Sequence, residues 1–286
     1  MAAELVVRLL LAVLRRLPFR VAFAISRACF AVLDAAVPRF RRIASRNLEI
    51  AGLPEPDRII AGMWRSLARS LALFARFPDL DASNIGRWIR YEGFEYYDCA
   101  KKQGRGVLFA TAHLGNWELS AFAHALLTEP MNVVVRPLDN ARLDQIIERR
   151  RALSGNTMIG KRDAARSILR ALRANEPVGA LVDQNVMPYE GVFVDFFGVP
   201  ACAASGLARL AWHSGATVIP GFAVWSEAES RYVLRFYEPV PMTGDTARDT
   251  QTVAAAVERA IREYPSEWLW IHRRWKTRPP GEPPMY

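Results

Sequence analysis

Cysteine is scarce in this chain of 286 residues. Cys29, Cys99 and Cys202 are the only three, and they lie far apart. So few cysteines, without a C-x-x-C pair, exclude a disulfide framework and a cysteine-rich zinc site, and they fit a reducing compartment. Histidine is also sparse: His113, His124, His213 and His272 show no H-E-x-x-H or similar metal spacing. No G-x-G-x-x-G, phosphate loop or G-x-S-x-G elbow is present, which argues against dinucleotide, nucleotide and serine-hydrolase chemistry. A long uncharged apolar run is missing near the start, where Arg8, Arg15, Arg16 and Arg20 interrupt the pattern. They argue against a cleavable signal peptide and a spanning helix, since each central arginine costs about 2.5–3.5 kcal/mol on insertion. Acidic residues fall short of basic ones, 29 against 38, leaving a formal charge of +9. Internal repeats, low-complexity tracts and an obvious interdomain linker are absent as well.

The residues that are present form an apolar, basic chain. Half of them, 51 %, are hydrophobic, and mean hydropathy is +0.01. That combination points to an anionic membrane surface or an anionic substrate, with nucleic acid as the other partner a basic balance allows. At helical period, Glu4, Arg8 and Arg15 share one side; Arg20, Arg27 and Asp34 share another, beyond Pro18. Two amphipathic helices lying in a membrane interface fit this pattern. A helical hairpin packed on the protein's own core fits it nearly as well, and a partial insertion of residues 21–37 remains open. Arg39, Arg41, Arg42 and Arg46 follow as a basic cluster suited to anionic headgroups, or to a solvated helix face.

From about Arg87 short β-rich runs alternate with helical ones. Strands are expected at 88–91, 107–112, 132–135, 178–182, 217–224 and 232–236. Helices are expected at 116–127, 141–153, 162–174, 205–213 and 246–263. This alternation predicts an α/β fold with a largely parallel central sheet flanked by helices. The expected organisation is an N-terminal helical, membrane-associating region over 1–86, an α/β core over 87–278, and a proline-rich tail over 279–286.

At the end of the run Val107–Ala112 stands His113-Leu114-Gly115-Asn116-Trp117-Glu118. Histidine has the side-chain pKa nearest neutrality. A carboxylate four intervening residues away, past a glycine bend, fits a general base with its orienting acid. Glutamate in a first helical turn is also favoured by the helix dipole alone, so the pair by itself leaves a structural reading open.

Four further segments join it: Val135–Asn140 (VRPLDN), Leu181-Val182-Asp183-Gln184, Gly191–Gly198 (GVFVDFFG) and Glu267–Lys276 (EWLWIHRRWK). In order and spacing they resemble the late acyltransferases of lipid A biosynthesis, the lauroyl/myristoyl transferase family. That family is a branch of the lysophospholipid acyltransferase superfamily, whose hallmark is H-x4-D/E. The likeness extends to the apolar N-terminal helices and to the segment from Arg42 to Leu48. Asn185, Asp195 and Glu267 depart from the aspartate, proline and glutamine usual at those places.

The resemblance implies an O-acyltransferase moving a fatty chain from acyl carrier protein, or less often coenzyme A, to a hydroxyl of a lipid A precursor. It implies His113 as base with Glu118, no cofactor, no metal, and a monotopic place on the cytoplasmic face of the inner membrane. Arg136, at a strand end before Pro137, is expected to hold a phosphate of the acceptor; Asn116 joins it as a candidate substrate contact. Asp183 and Gln184 are either part of the site or structural. Phe196, Phe197 and Gly198 line the acyl channel or pack the core. Arg15, Arg16 and Arg20 are candidate contacts to anionic lipid or the carrier protein. His272, Arg273, Arg274 and Lys276 form a basic, tryptophan-flanked stretch that meets the carrier protein or lipid phosphates, or serves as a structural clamp; His124 and His213 are ordinary buried or half-buried histidines. A rival reading is acyl transfer to another glycolipid or a lysophospholipid. A reading of a different class is a non-catalytic lipid- or nucleic-acid-binding protein, and nucleic acid is disfavoured because no recognised binding motif appears.

Overall fold

Four helices open the chain: α1 (Ala2–Arg16), α2 (Phe19–Ala36), α3 (Pro38–Ile50) and α4 (Pro56–Phe74). They are seen in a computed structural model that describes residues 2–160 and 164–286. Proline at or next to the first position starts α3 and α4, where a missing N–H costs nothing. Leu11 and Leu14 of α1 pack with Ala22 of α2 and Ala72 of α4, so one edge of the hairpin belongs to the protein's own core. The opposite edge of α1 is bare: Leu5, Val6, Leu9 and Val13 are 68, 63, 63 and 42 % exposed. Among the described residues no single helix is long and apolar enough to cross a membrane. The pair α2–α3 passes by length and composition only, with an 88° bend between its helices.

The rest alternates as expected. In order come β1 (Ile89–Glu92), α5 (Phe94–Lys102), β2 (Val107–Thr111), α6 (Trp117–Leu127), β3 (Asn132–Val134), α7 (Ala141–Arg151) and β4 (Thr157–Ile159). Then follow α8 (Ala164–Arg173), β5 (Pro177–Leu181), β6 (Gly191–Phe196), β7 (Val199–Ala204), α9 (Gly206–Ser214), β8 (Thr217–Ser226), β9 (Arg231–Phe236) and α10 (Thr246–Glu263). Among the described residues one seven-stranded sheet runs β1-β9-β8-β2-β5-β3-β4, and β6 and β7 form a separate hairpin. Within the large sheet only β8 and β9 pair antiparallel. The core of β2, Val107 to Ala110, is buried residue by residue, as a central parallel strand covered on both faces requires. The sequence pattern misses α5, β4 and the β6–β7 hairpin. The expected start of the third core helix at Arg162 lies outside the described residues.

The register of the sheet decides where chemistry can occur. Thr111 at the end of β2 lies beside Leu181 at the end of β5. Residues two positions beyond each strand, His113 and Asp183, therefore emerge side by side at the carboxyl edge of the sheet, where sites in such sheets gather.

The expected tail is no loose end. Met285 packs against the core, its carbonyl accepts the Arg46 guanidinium at 3.0 Å, and the Tyr286 hydroxyl donates to Asn47 of α3.

Candidate active site

Gly115 makes the bend that turns the end of β2 into α6. Its φ is +66°, and a Cβ there would lie 1.9 Å from the Ala223 carbonyl oxygen. Only glycine fits. Asn116 then caps α6, its side-chain oxygen accepting the Leu119 N–H at 3.0 Å, and its own N–H donates to Ala223 at 2.8 Å. Asn116 is 1 % exposed. It builds the loop, and the structure does not place it as a substrate contact.

His113 meets Asp183 twice. Its Nδ1–H donates to one carboxylate oxygen at 2.9 Å, and its backbone N–H donates to the other at 2.9 Å. The second oxygen also accepts the indole N–H of Trp268 at 2.8 Å. Asp183 is thus a fully buried carboxylate with three donors. Burial works against its charge, but His113 and these hydrogen bonds prevail and hold it down at about 2. Burial likewise works against protonated His113, yet the charge and hydrogen bond of Asp183, and then the charge of Glu118, raise its pKa above the ordinary value. With Nδ1 committed to Asp183, Nε2 carries the lone pair. It accepts the Gln184 amide N–H at 3.4 Å, and the Trp117 ring meets the imidazole edge-on at 5.0 Å. The His113 side chain is 16 % exposed and that of Asp183 is 3 % exposed. This is a partly exposed base backed by a sealed acid.

Glu118 therefore does not hold the histidine by hydrogen bonding, as the H-x4-E spacing leads one to expect. Its carboxylate is gripped in a bidentate fork by Arg151 at the end of α7, at 2.8 and 2.5 Å. The first turn of α6 faces Glu118 towards α7, while β5 brings Asp183 directly to the imidazole. Glu118 acts on His113 through its charge.

The segment after α10 straps this loop in place. The Gly115 N–H donates to the Glu267 carbonyl and the Leu269 N–H to the His113 carbonyl, both at 3.0 Å. Farther along, the Asn185 N–H donates to His272 Nε2 at 2.9 Å. Asn47 of α3 is 0 % exposed and spans the strap, donating to the carbonyls of Trp270 and His272 at 2.6 and 2.7 Å.

Arg274 is buried within the strap. It donates to the Cys202 carbonyl at 2.6 Å and lies 4.9 Å over the Phe196 ring. A guanidinium 1 % exposed cannot meet a carrier protein or a headgroup, so that expectation is corrected. Arg273 is half-buried against Tyr286, and Lys276 is exposed. Arg15 is committed to Asp79 in a bidentate pair, whereas Arg16 and Arg20 are exposed. Phe196 and Phe197 are core residues. Phe196 borders a cavity of about 10 Å³ next to Asp183 and Arg274, room for one water and not for an acyl chain. Phe197 and Gly198, with φ of +58° and +76°, form the two-residue turn between β6 and β7. Arg136 stands exposed beyond β3 and has no ion-pair partner among the described residues. His124 is buried as expected, its Nδ1 bonded to the Tyr91 hydroxyl at 2.8 Å. His213 corrects the expectation: near the end of α9 its side chain is exposed, neither buried nor half-buried.

The sequence pattern does not mark Arg151, and it includes Trp268 and Asn47 in the resembling segments without a site role; all three reach His113 only through other residues. Among the described residues no three histidine, cysteine or acidic side chains gather as metal ligands would.

Comparison with known proteins shows the family of the chain. A family model described as bacterial lipid A biosynthesis acyltransferase matches residues 2–277. The chain is 30 % identical over 282 residues to the lipid A biosynthesis palmitoleoyltransferase of Escherichia coli (strain K12), covering 95 % of this chain and 90 % of the relative. It is 30 % identical over 251 residues to the lipid A biosynthesis lauroyltransferase of the same organism, covering 86 % and 76 %. A phosphatidylinositol mannoside acyltransferase of Mycolicibacterium smegmatis is 25 % identical over 252 residues, covering 87 % and 82 %. The chain belongs to the bacterial lipid A biosynthesis acyltransferases and is an acyl-transferring enzyme.

Proposed function

We propose that the protein transfers a fatty acyl chain from the thioester of acyl carrier protein to a free hydroxyl of a lipid A precursor, at the cytoplasmic face of the inner membrane. The observation that carries this reading is the 2.9 Å hydrogen bond from His113 Nδ1 to Asp183, which leaves the lone pair of Nε2 as the basic site.

A sugar or acyl hydroxyl is a poor nucleophile at neutral pH. His113 Nε2 takes its proton as the oxygen attacks the thioester carbon. The new C–O bond forms while the carbonyl π pair moves onto oxygen. Collapse of this tetrahedral species breaks the C–S bond, and the proton held by His113 passes to the leaving thiolate. Asp183 fixes the productive tautomer and stabilises the imidazolium. Glu118, held by Arg151, adds negative charge nearby. A base so placed contributes on the order of 10²–10⁴ in rate. Arg136, exposed and without an ion-pair partner among the described residues, supplies a cation for a phosphate of the acceptor, and the bare apolar edge of α1 with Arg16 and Arg20 suits an anionic bilayer.

The test is mass spectrometry of lipid A from cells with and without this gene, complemented by wild type or by His113→Ala. One missing acyl chain, restored by wild type alone, is the expected result. Unchanged lipid A in a strain without a redundant homologue would refute the acceptor and favour another membrane glycolipid, such as the class named for the mannoside-acylating relative.

A further inference from the structure

The tetrahedral species carries a negative oxygen that needs a donor in place before the reaction. The loop around His113 has few backbone donors to spare. The N–H groups of His113, Gly115 and Asn116 are taken by Asp183, Glu267 and Ala223. The Gln184 amide faces His113 Nε2, where the attacking hydroxyl must sit.

His272 is different. The Asn185 N–H donates to its Nε2 at 2.9 Å, so the ring proton resides on Nδ1. Nδ1 finds no protein partner among the described residues, and it is not among the sealed unpartnered atoms of the half-buried side chains. The ring is anchored one residue beyond Gln184, on a strap whose Leu269 is bonded to the His113 backbone. Burial lowers its pKa to about 4, and charges at Asp183 and His113 are felt there. It is neutral at working pH, and its basic nitrogen is already occupied. Such a ring donates but does not take up a proton. A permanently charged phosphate would favour protonation and break the bond to Asn185, so a transient charge is its better partner.

Resting on the reading of His113 as base, we propose that His272 is a catalytic hydrogen-bond donor whose Nδ1–H stabilises the oxyanion formed on the thioester carbonyl. In the step above, the π pair displaced onto oxygen is received by this N–H, and the proton stays on His272 throughout.

Two variants separate donation from anchoring. His272→Met keeps a weak acceptor for Asn185 and removes the donor. His272→Gln keeps both. Both are assayed with a lauroyl thioester of acyl carrier protein and a lipid A precursor in detergent, with His113→Gln alongside. The expected result is a loss of kcat for His272→Met on the order of 10²–10³-fold. The KM for the acceptor stays nearly constant, and His272→Gln recovers to within about ten-fold of wild type. Equal activity of the two variants, or a loss confined to acceptor KM, overturns the proposal while leaving His113 in place. Full activity of His113→Gln overturns both readings. Should His272→Met not fold, His272→Asn decides. It reaches Asn185 but stops short of the substrate, so a folded, fully active asparagine variant also overturns the proposal.

Discussion

Asp183 is the residue on which the account turns. Its two oxygens hold the His113 ring and backbone at once. Replacing it by asparagine removes the charge and permits an amide N–H to face Nδ1, which places the imidazole proton on the wrong nitrogen. Asp183→Asn is therefore expected to lower kcat by about 10²–10⁴-fold. His113 loses the charge that raises its pKa, so the acid limb of the pH–rate profile moves to lower pH. In wild type that limb is expected above the ordinary histidine value of about 6.5, with activity rising as pH rises through it. Glu267 gives a second residue-scale prediction. Burial raises its carboxyl to about 7, although it accepts the Trp225 N–H. A carboxyl raised in the folded state favours folding at low pH, and that stability is lost as pH rises from about 4.3 through about 7. Glu267→Gln, which restores the residue usual at this place in the family it resembles, should stabilise by about 2–3 kcal/mol at pH 8 and by little at pH 5. Thermal melts at both values check this.

At the scale of elements, the site consists of two strand ends, one bend and one strap. Gly115→Ala would drive a methyl group into the Ala223 carbonyl and hold alanine in a left-handed conformation. A loss of at least about 2 kcal/mol is expected, with activity falling along with it. Asn47→Ala leaves two strap carbonyls without their donor at about 1–3 kcal/mol each. Denaturant titration should show the loss, and kcat should fall, although Asn47 has no direct hydrogen bond to His113 or Asp183. These elements also mark the limit of what the chain discloses. His113 at the end of an apolar run, the glycine bend and the helix from Asn116 are legible because they are local. Asp183 is legible as a costly acid after a buried run, but its pairing with His113 depends on the β2–β5 register, set between segments 70 residues apart. Arg151 captures Glu118 across 33 residues, and no local pattern announces that. The hairpin β6–β7 escapes because its turn carries phenylalanine at positive φ, where glycine or asparagine is the usual marker.

The whole molecule joins a basic, apolar helical face to a sheet whose reactive edge is tied to α3 through Asn47. Membrane association is expected to rest on the outer edge of α1. Leu5→Glu with Leu9→Glu should reduce partitioning onto anionic vesicles by at least ten-fold, since each exposed leucine offers roughly 1.5–3 kcal/mol of burial. Turnover on detergent-dispersed substrate should be unchanged, because these side chains contact solvent and not the site. Co-sedimentation at low and high salt measures both parts, and the arginine contribution should weaken with salt. The central claim is acyl transfer driven by the His113–Asp183 pair. Its most direct test is product mass after incubating purified enzyme with acyl carrier protein thioester and lipid A precursor. Wild type should add one acyl chain, while folded His113→Gln and Asp183→Asn should add almost none over the same interval. Transfer at wild-type rate by either variant would contradict the account.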